Sequence, residues 1–202
     1  MFALVEDGSI TRFYSGNRGI TLGDNQYPKA IFTLWSKSER EAIGIYEVVW
    51  DNSKKKDERW YINTDISYAF AGGKVTASYG DATDKAHADT LFTSDDEDNG
   101  LGTEGEVKSR GLKYYLIQAL KKQAAQELAR TDWYILRKAD ANTAIPSAIT
   151  NHRAAVRTKC ASMETSITNA SNTAALETLY TYTTNNDGVT SRPLGELPTL
   201  EV

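Results

Sequence analysis

This sequence has one cysteine, no long hydrophobic run and no secretion signal. Cys160 alone cannot form an internal disulfide, which favours a reducing compartment such as the cytosol. No stretch approaches the run of about 18 apolar residues that a membrane-spanning helix requires. Residues 1–8 have no basic segment and become acidic too early for a signal peptide. We therefore expect a soluble chain that is not exported by a standard route.

A surplus of positive charge is also missing. The sequence has 23 Lys and Arg residues against 27 Asp and Glu residues, so its formal net charge at pH 7 is -4. A protein that binds nucleic acid by neutralising phosphates needs a clear surplus of basic residues on one face. We predict no nucleic-acid partner and no membrane partner.

Recognisable catalytic motifs are absent as well. The two histidines, His87 and His152, stand outside any triad pattern and are predicted to be surface residues. Cys160 falls on the apolar side of its predicted helix, which is typical of a core thiol rather than a nucleophile. Gly72-Gly73 lacks the Lys-Ser or Lys-Thr that follows in a phosphate-binding loop. The sequence therefore predicts no catalytic residue, no cofactor and no enzymatic activity.

The predicted fold class is α+β, and residues 1–80 are predicted to form a small, mostly antiparallel β domain with one short helix. Asp7-Gly8 joins two β-prone runs and is a strong hairpin signal. Gly72-Gly73 marks a second hairpin, whose predicted arms run from Arg59 to Ala69 and from Lys74 to Tyr79. Ser36 and Glu39 have the spacing of a capping box, which predicts that the helix begins between them.

Residues 81–108 are predicted to be an acidic linker. Residues 81–106 hold nine acidic residues against one lysine, Lys85, and contain little apolar surface to offset the entropy of ordering the chain. The acids are Asp81, Asp84, Asp89, Asp95, Asp96, Glu97, Asp98, Glu104 and Glu106.

A calcium-binding loop is an alternative interpretation of part of this linker. From Asp95 to Glu106 the residues follow the spacing of such a loop, with a glycine at the sixth position and an acid at the twelfth. The matching residues are Asp95, Glu97, Asn99, Gly100, Leu101, Thr103 and Glu106. Glu97 and Gly102 depart from the residue types that the loop usually has. The sequence favours a solvated linker over a metal site and leaves calcium binding open.

Residues 109–184 switch to helical spacing and are predicted to form a helical hairpin of two to three helices. The apolar stripe of the first helix comprises Leu112, Leu116, Ala119, Leu120, Ala124 and Leu128. Pro146 suits the start of the second helix, and a third, shorter helix should follow Asn172 or Thr173. Residues 185–202 contain two glycines and two prolines and are predicted to be an extended C-terminal tail.

The turn of this hairpin has an unusual aromatic and basic composition. Trp133 and Tyr134 stand at the end of the first helical pattern, and basic residues surround them in sequence. Such a set forms either the sealed corner of a helical hairpin or an edge that binds a protein partner. The candidate partner-binding residues are Trp133, Tyr134, Arg137, Lys138, Arg153 and Arg157.

At these residues the sequence resembles the phage tail assembly chaperone family, whose members are associated with tail-fibre assembly. The family pattern is matched by Thr131-Asp132-Trp133, Arg137-Lys138, Ile145-Pro146 and the run from Arg153 to Arg157. The resemblance covers the segment from Leu112 to Tyr182.

The N-terminal region resembles the leading segment of tail-associated proteins of tailed phages. This similarity is carried by Gly23-Asp24, Tyr27-Pro28, Ile31-Phe32, Trp35 and Ile43-Gly44-Ile45-Tyr46. The two resemblances imply a non-enzymatic protein that binds a phage tail or tail-fibre protein during assembly, or that stays in the virion as a minor tail component. They imply a location in the host bacterial cytoplasm during assembly, or in the virion tail.

Overall fold

The structure, a computed structural model, describes residues 1–200 of the 202-residue chain. It divides into two compact units, one of residues Met1–Thr83 and one that begins at Asp84. The first unit is built mainly of strands and the second mainly of helices, so the predicted α+β class is confirmed.

The first unit is organised by a five-stranded sheet with the order β2-β1-β5-β8-β7. Its strands are β1 Phe2–Glu6, β2 Ser9–Tyr14, β5 Ile45–Asp51, β7 Ser67–Ala71 and β8 Lys74–Ser78. The shorter strands are β3 Ile20–Leu22, which pairs with β4 Asn25–Tyr27, and β6 Tyr61–Ile62, which pairs with β9 Thr83–Asp84. The sheet is antiparallel except for the parallel pair β5 and β8, as the prediction of a mostly antiparallel unit requires.

Both predicted hairpins are present. Asp7 and Gly8 have φ angles of 49° and 76°, and Gly72 and Gly73 have φ angles of 58° and 69°. Two consecutive residues with positive φ are what the tight two-residue turn between antiparallel strands requires, and glycine adopts that conformation without steric cost. The second hairpin is shorter than the sequence suggests, because β7 begins only at Ser67.

The predicted short helix is α1, Lys37–Ala42. Its capping box is complete: the Ser36 backbone N–H donates to Glu39 Oε2 at 2.7 Å, and the Glu39 N–H donates to Ser36 Oγ at 3.3 Å. The two bonds between Ser36 and Glu39 satisfy backbone donors that the first turn of a helix leaves without partners. A 3-10 helix, Lys29–Phe32, precedes α1.

The sheet is buried on both faces because neighbouring residues of a strand point to opposite sides. On one side Leu4 and Ile45 pack with Ile20, Ile31 and Phe32. On the other side a separate cluster contains Ala3, Val48, Val75 and Ala77. The two edge strands also approach each other, since the rings of Phe13 in β2 and Tyr68 in β7 are 4.5 Å apart.

Residues 81–108 differ from the predicted linker, because most of them are ordered parts of the second unit. Their elements are β10 Thr90–Leu91, α2 Ser94–Asp98 and β11 Val107–Ser109, which pairs with β10. Acidic side chains hold this segment in place through hydrogen bonds and ion pairs. Asp96 forms the capping box of α2 with Thr93 and an ion pair with Lys108 at 2.7 Å. These contacts, first the Lys108 ammonium, hold the pKa of Asp96 below its usual value.

The helices of the second unit are α3 Leu112–Ala129, α4 Asp132–Ala141, α5 Ser147–Asn169 and α6 Thr173–Tyr180. The predicted hairpin corresponds to the antiparallel pair α3 and α5, which Lys121 and Glu164 bridge at 2.8 Å. Pro146 precedes α5 and α6 follows Asn172, as predicted, and the Asn172 side chain also caps α6. The first helical pattern, however, is interrupted after Ala129 and gives two helices instead of one.

The C-terminal segment is not simply extended. Strand β12, Thr183–Thr184, pairs with β13, Thr190–Ser191, around a turn that the Asn185 side chain stabilises. Leu194 is only 2% exposed, and its N–H donates to Leu179 O at 3.0 Å. Leu194 therefore fastens the segment to the helices. The last two residues of the predicted tail, 201–202, lie outside the described residues. None of the helices described combines the length and hydropathy that crossing a bilayer takes.

Candidate functional site

The candidate site lies at the corner where α3 ends, α4 follows and α5 returns. The corner is made by Thr131, which is 1% exposed. Its hydroxyl donates to Leu128 O at 3.0 Å, and its backbone N–H donates to the same carbonyl at 3.1 Å. Two donors from one residue thus close the last turn of α3, and α4 begins immediately afterwards at Asp132.

Arg153 of α5 ties this corner together. Its Nη1 donates to Leu128 O at 2.7 Å, to Thr131 Oγ1 at 2.7 Å and to Asp132 Oδ1 at 2.8 Å. A guanidinium beside the last carbonyls of a helix also complements the negative end of the helix dipole. Arg153 is 8% exposed, so it does not lie on the partner-binding edge for which the sequence proposed it.

Three other predicted residues form a stack on α4, in which Trp133 is exposed while Tyr134 and Arg137 are half-buried. The guanidinium carbon of Arg137 lies 4.5 Å from the ring centroid of Trp133 and 5.5 Å from that of Tyr134. The two aromatic centroids are 4.4 Å apart. Spacing of four residues places Trp133 and Arg137 one turn apart on the same side of the helix. A cation–π pair of this kind contributes about 0.5–1 kcal/mol at an exposed site.

Helix α4 contains no buried residue. Trp133 is 51% exposed and Leu136 is 69% exposed, although both are large apolar side chains. The sequence left open whether these residues form a sealed corner or an exposed edge. In the structure Arg153 and Thr131 seal the corner, while Trp133 stays outside it. The exposed side of α4 is the part of this site that another molecule can reach.

Lys138 and Arg157, the last two predicted residues, lie apart from the stack. Lys138 is exposed on α4. Arg157 is exposed on α5 and borders an open groove of about 310 Å³ between α3 and α5. The open groove is lined by Lys121, Ala124, Ala125, Leu128, Arg157, Cys160, Ala161 and Glu164.

Sequence reasoning did not identify this groove. The sequence feature that corresponds to the groove is a set of small side chains, Ala124 and Ala125 on α3 and Ala161 on α5. Recognising it requires the register between α3 and α5, which depends on contacts distant in sequence. Partial burial, and secondarily the nearby Glu164 carboxylate, raise the pKa of the Cys160 thiol, so the groove does not hold an activated nucleophile.

No family model, curated protein or solved structure matches this chain. The resemblance to the phage tail assembly chaperone family therefore remains a prediction.

The prediction that His152 is a surface residue was wrong, because the structure leaves it only 9% exposed. It lies three residues after Ile149 and four before Val156, both buried, and so on the inward face of α5. His87 is partly buried, and its carbonyl accepts from the N–H of Lys113 at 3.0 Å.

The alternative calcium loop does not have the shape that ion binding requires. Asp95 and Glu97 lie within α2, and Glu97 accepts from the backbone N–H of Glu104. A calcium loop needs its first ligands on irregular backbone that curves around the ion. Within residues 1–200, no group of three or more His, Cys, Asp or Glu side chains is placed to hold a metal ion.

Proposed function

We propose that this chain is a non-enzymatic phage tail assembly protein that binds a tail or tail-fibre component through helix α4. The observation that carries the proposal is the exposed Trp133, stacked with the half-buried Tyr134 and Arg137 on a helix with no buried residue. The sequence resemblance supports the choice of partner. The protein would act in the host bacterial cytoplasm while tails are being assembled.

The composition of α4 suits a protein interface. Residues that dominate binding energy at interfaces are enriched in Trp, Tyr and Arg. Here one helix turn presents all three, with Leu136 on the same exposed side as Trp133. The anchoring of Asp132 and Thr131 by Arg153 fixes the start of α4, which lowers the entropy that binding would otherwise cost.

The proposal predicts that Trp133→Ala combined with Arg137→Ala abolishes capture of the client. The two substitutions remove the exposed ring and the half-buried guanidinium stacked on it, and neither residue belongs to the buried core, so the helices should stay folded. The measurement is co-purification with tail and tail-fibre proteins encoded by the same phage and co-expressed with the tagged chain. Circular dichroism reports helicity.

A matched control is Tyr115→Ala combined with Lys122→Ala. Tyr115 is an aromatic residue of α3 with 59% exposure, and Lys122 is an exposed basic residue of the same helix. This variant should retain the client. Undiminished capture by the Trp133 and Arg137 double variant would refute the assignment of α4 as the binding surface.

A second candidate function is a minor structural virion protein that connects two tail components. A specific observation favours it: the first unit has its own exposed aromatic residues, Phe13, Trp50 and Tyr68, on one face of the sheet. A transient chaperone needs one client surface, whereas an adaptor needs two. Stoichiometric retention in purified particles would distinguish the adaptor from the chaperone.

A further inference from the structure

The paired helices α3 and α5 have two grooves, and residues 1–200 fill only one of them. On the filled side Leu194 and Tyr180 pack against Leu120 and Met163, and a space of about 70 Å³ remains. On the other side the open groove retains about 310 Å³. An apolar helix surface is normally buried against another element, and none of residues 1–200 covers the open groove in this way.

The shape of the open groove indicates what would fill it. Ala124, Ala125 and Ala161 form a floor of small side chains, which lets a third helix approach closely and accept bulky apolar groups. Helix α4 is the complementary shape, because Trp133 and Leu136 project from one of its faces and are largely exposed.

We infer that the open groove receives helix α4 of a second copy of this chain, so that two copies form a closed dimer. Each copy supplies one α4 and one groove, and the two contacts are related by a twofold axis. Such an arrangement uses each surface once and leaves no unsatisfied copy, unlike a head-to-tail contact that would continue into a filament.

The charges at the two surfaces are complementary. Asp140 lies on the same face of α4 as Trp133 and Leu136, at spacings of seven and four residues. It is in the last turn of the helix, where a negative charge is unfavourable. Arg157 borders the open groove at the end where Leu128 lies. Within residues 1–200, neither Asp140 nor Arg157 forms an ion pair, and docking of α4 would bring the two together.

The surface that docking would cover is sufficient for a specific dimer. An aromatic side chain buries about 150–250 Å² when fully covered. About half of the Trp133 surface and more than half of the Leu136 surface are exposed. Together with adjacent atoms of Arg137 and Asp140, each α4 therefore presents an exposed area of roughly 300 Å². Two helices and two grooves then bury roughly 1,200 Å² in total, the lower limit of standard specific interfaces.

The oligomeric state of the full chain tests this inference. Sedimentation equilibrium of the wild type should give twice the chain mass at micromolar concentration, and Ala161→Trp should give the monomer mass, because an indole would occupy the groove. The matched control is Ala155→Trp, an exposed alanine on the opposite side of α5. It should remain dimeric. A wild type that stays monomeric up to hundreds of micromolar, or an Ala161→Trp variant with an unchanged dissociation constant, overturns the inference.

A charge exchange decides the same question without filling the groove. Asp140→Arg places like charges together and should weaken the dimer at least about tenfold. Adding Arg157→Asp restores opposite charges and should recover most of that loss. A double variant no tighter than Asp140→Arg contradicts the proposed docking, even if Ala161→Trp proves to be unfolded.

This inference does not rest on the proposed tail-assembly function. The second copy and a tail protein would compete for the same face of α4. Ala161→Trp leaves α4 unchanged, so it should release the dimer and leave that face free, and capture of tail proteins should be at least as strong as in the wild type. Capture by the Trp133 and Arg137 variant tests whether α4 binds the tail protein. The mass of the Ala161→Trp variant tests only whether the groove binds a second copy. The two proposals can therefore fail separately.

Discussion

Arg153 and Trp133 lie at the same helical corner but in opposite environments. The charged side chain is buried and bonded to three oxygens, while the large apolar one is half exposed. Residue-type preferences would reverse the two, since arginine is seldom buried and tryptophan usually is. The exception is stable because the guanidinium finds acceptors at a helix end, where carbonyls have no partner within the helix.

At the residue scale we predict that Arg153→Met destabilises the second unit by about 2–3 kcal/mol, because it removes the hydrogen bonds that the buried guanidinium donates to Leu128 O, Thr131 Oγ1 and Asp132 Oδ1. Urea unfolding followed by circular dichroism measures the free energy of unfolding. The matched control is Arg130→Met, which removes an exposed ion pair to Glu127 and should cost less than about 0.5 kcal/mol. Equal losses for the two variants would mean that Arg153 does not hold the corner.

The buried role of Arg153 could not be predicted from the sequence. Its three acceptors lie 21 to 25 residues earlier in the chain, and no local pattern connects them. The sequence did identify the correct neighbourhood, because Trp133 and Arg137 lie on α4 directly after the corner that Arg153 closes. It could not separate the residues that build the corner from those that face outward.

At the scale of elements, the features predicted well are those with local causes. The turn at Asp7-Gly8, the capping box of Ser36 and Glu39, and the start of α5 after Pro146 each depend on residues at most a few positions apart. The acidic segment was predicted poorly because its order depends on partners far away in sequence. Asp89, for example, accepts from the backbone N–H of Gly111, 22 residues later.

This long-range contact caps α3. Asp89 Oδ1 accepts from the Gly111 N–H at 2.8 Å, and Oδ2 accepts from Arg110 at 2.6 Å. The next two N–H groups, of Leu112 and Lys113, donate to the carbonyls of Ala86 and His87. The segment once expected to be a linker therefore satisfies the N-terminal donors of the longest helix but one, where a carboxylate also complements the helix dipole.

The cap makes stability depend on pH in a predictable direction. The Gly111 N–H, and next the Arg110 guanidinium, hold the pKa of Asp89 below its usual value. A lowered pKa in the folded state stabilises the protein above the unfolded-state pKa of about 3.9, and this contribution disappears as pH falls through the folded-state pKa. Asp89→Asn should therefore lower the melting temperature at pH 7, and the difference from wild type should shrink below about pH 4.

Thermal melting followed by circular dichroism across this pH range measures the effect. Asp98→Asn is the control, because the Asp98 side chain is exposed and forms no hydrogen bond or ion pair within residues 1–200. It should change the melting temperature little at any pH. If the melting temperature of Asp89→Asn stays below that of the wild type by the same amount down to the most acidic pH measured, the lost stability does not come from the ionised carboxylate.

At the scale of the whole molecule, the two units each carry exposed aromatic residues, but they are supported differently. In the first unit Phe13 and Tyr68 contact each other across the two edge strands of one sheet. In the second unit Trp133 belongs to a helix that packs only weakly and is anchored at its start. These separate surfaces distinguish the two candidate functions, because a chaperone acts through one of them and an adaptor through both.

Quantitative mass spectrometry of purified phage particles tests this difference. The chaperone predicts that the chain is abundant in infected cells and absent from particles, because its client surface is released when assembly ends. The control is a tail protein of known copy number measured in the same samples. Retention at a fixed ratio to that protein would contradict the chaperone and favour the adaptor. In that case Phe13→Ala with Tyr68→Ala should lower the retained amount, because the adaptor holds one tail component through the first unit.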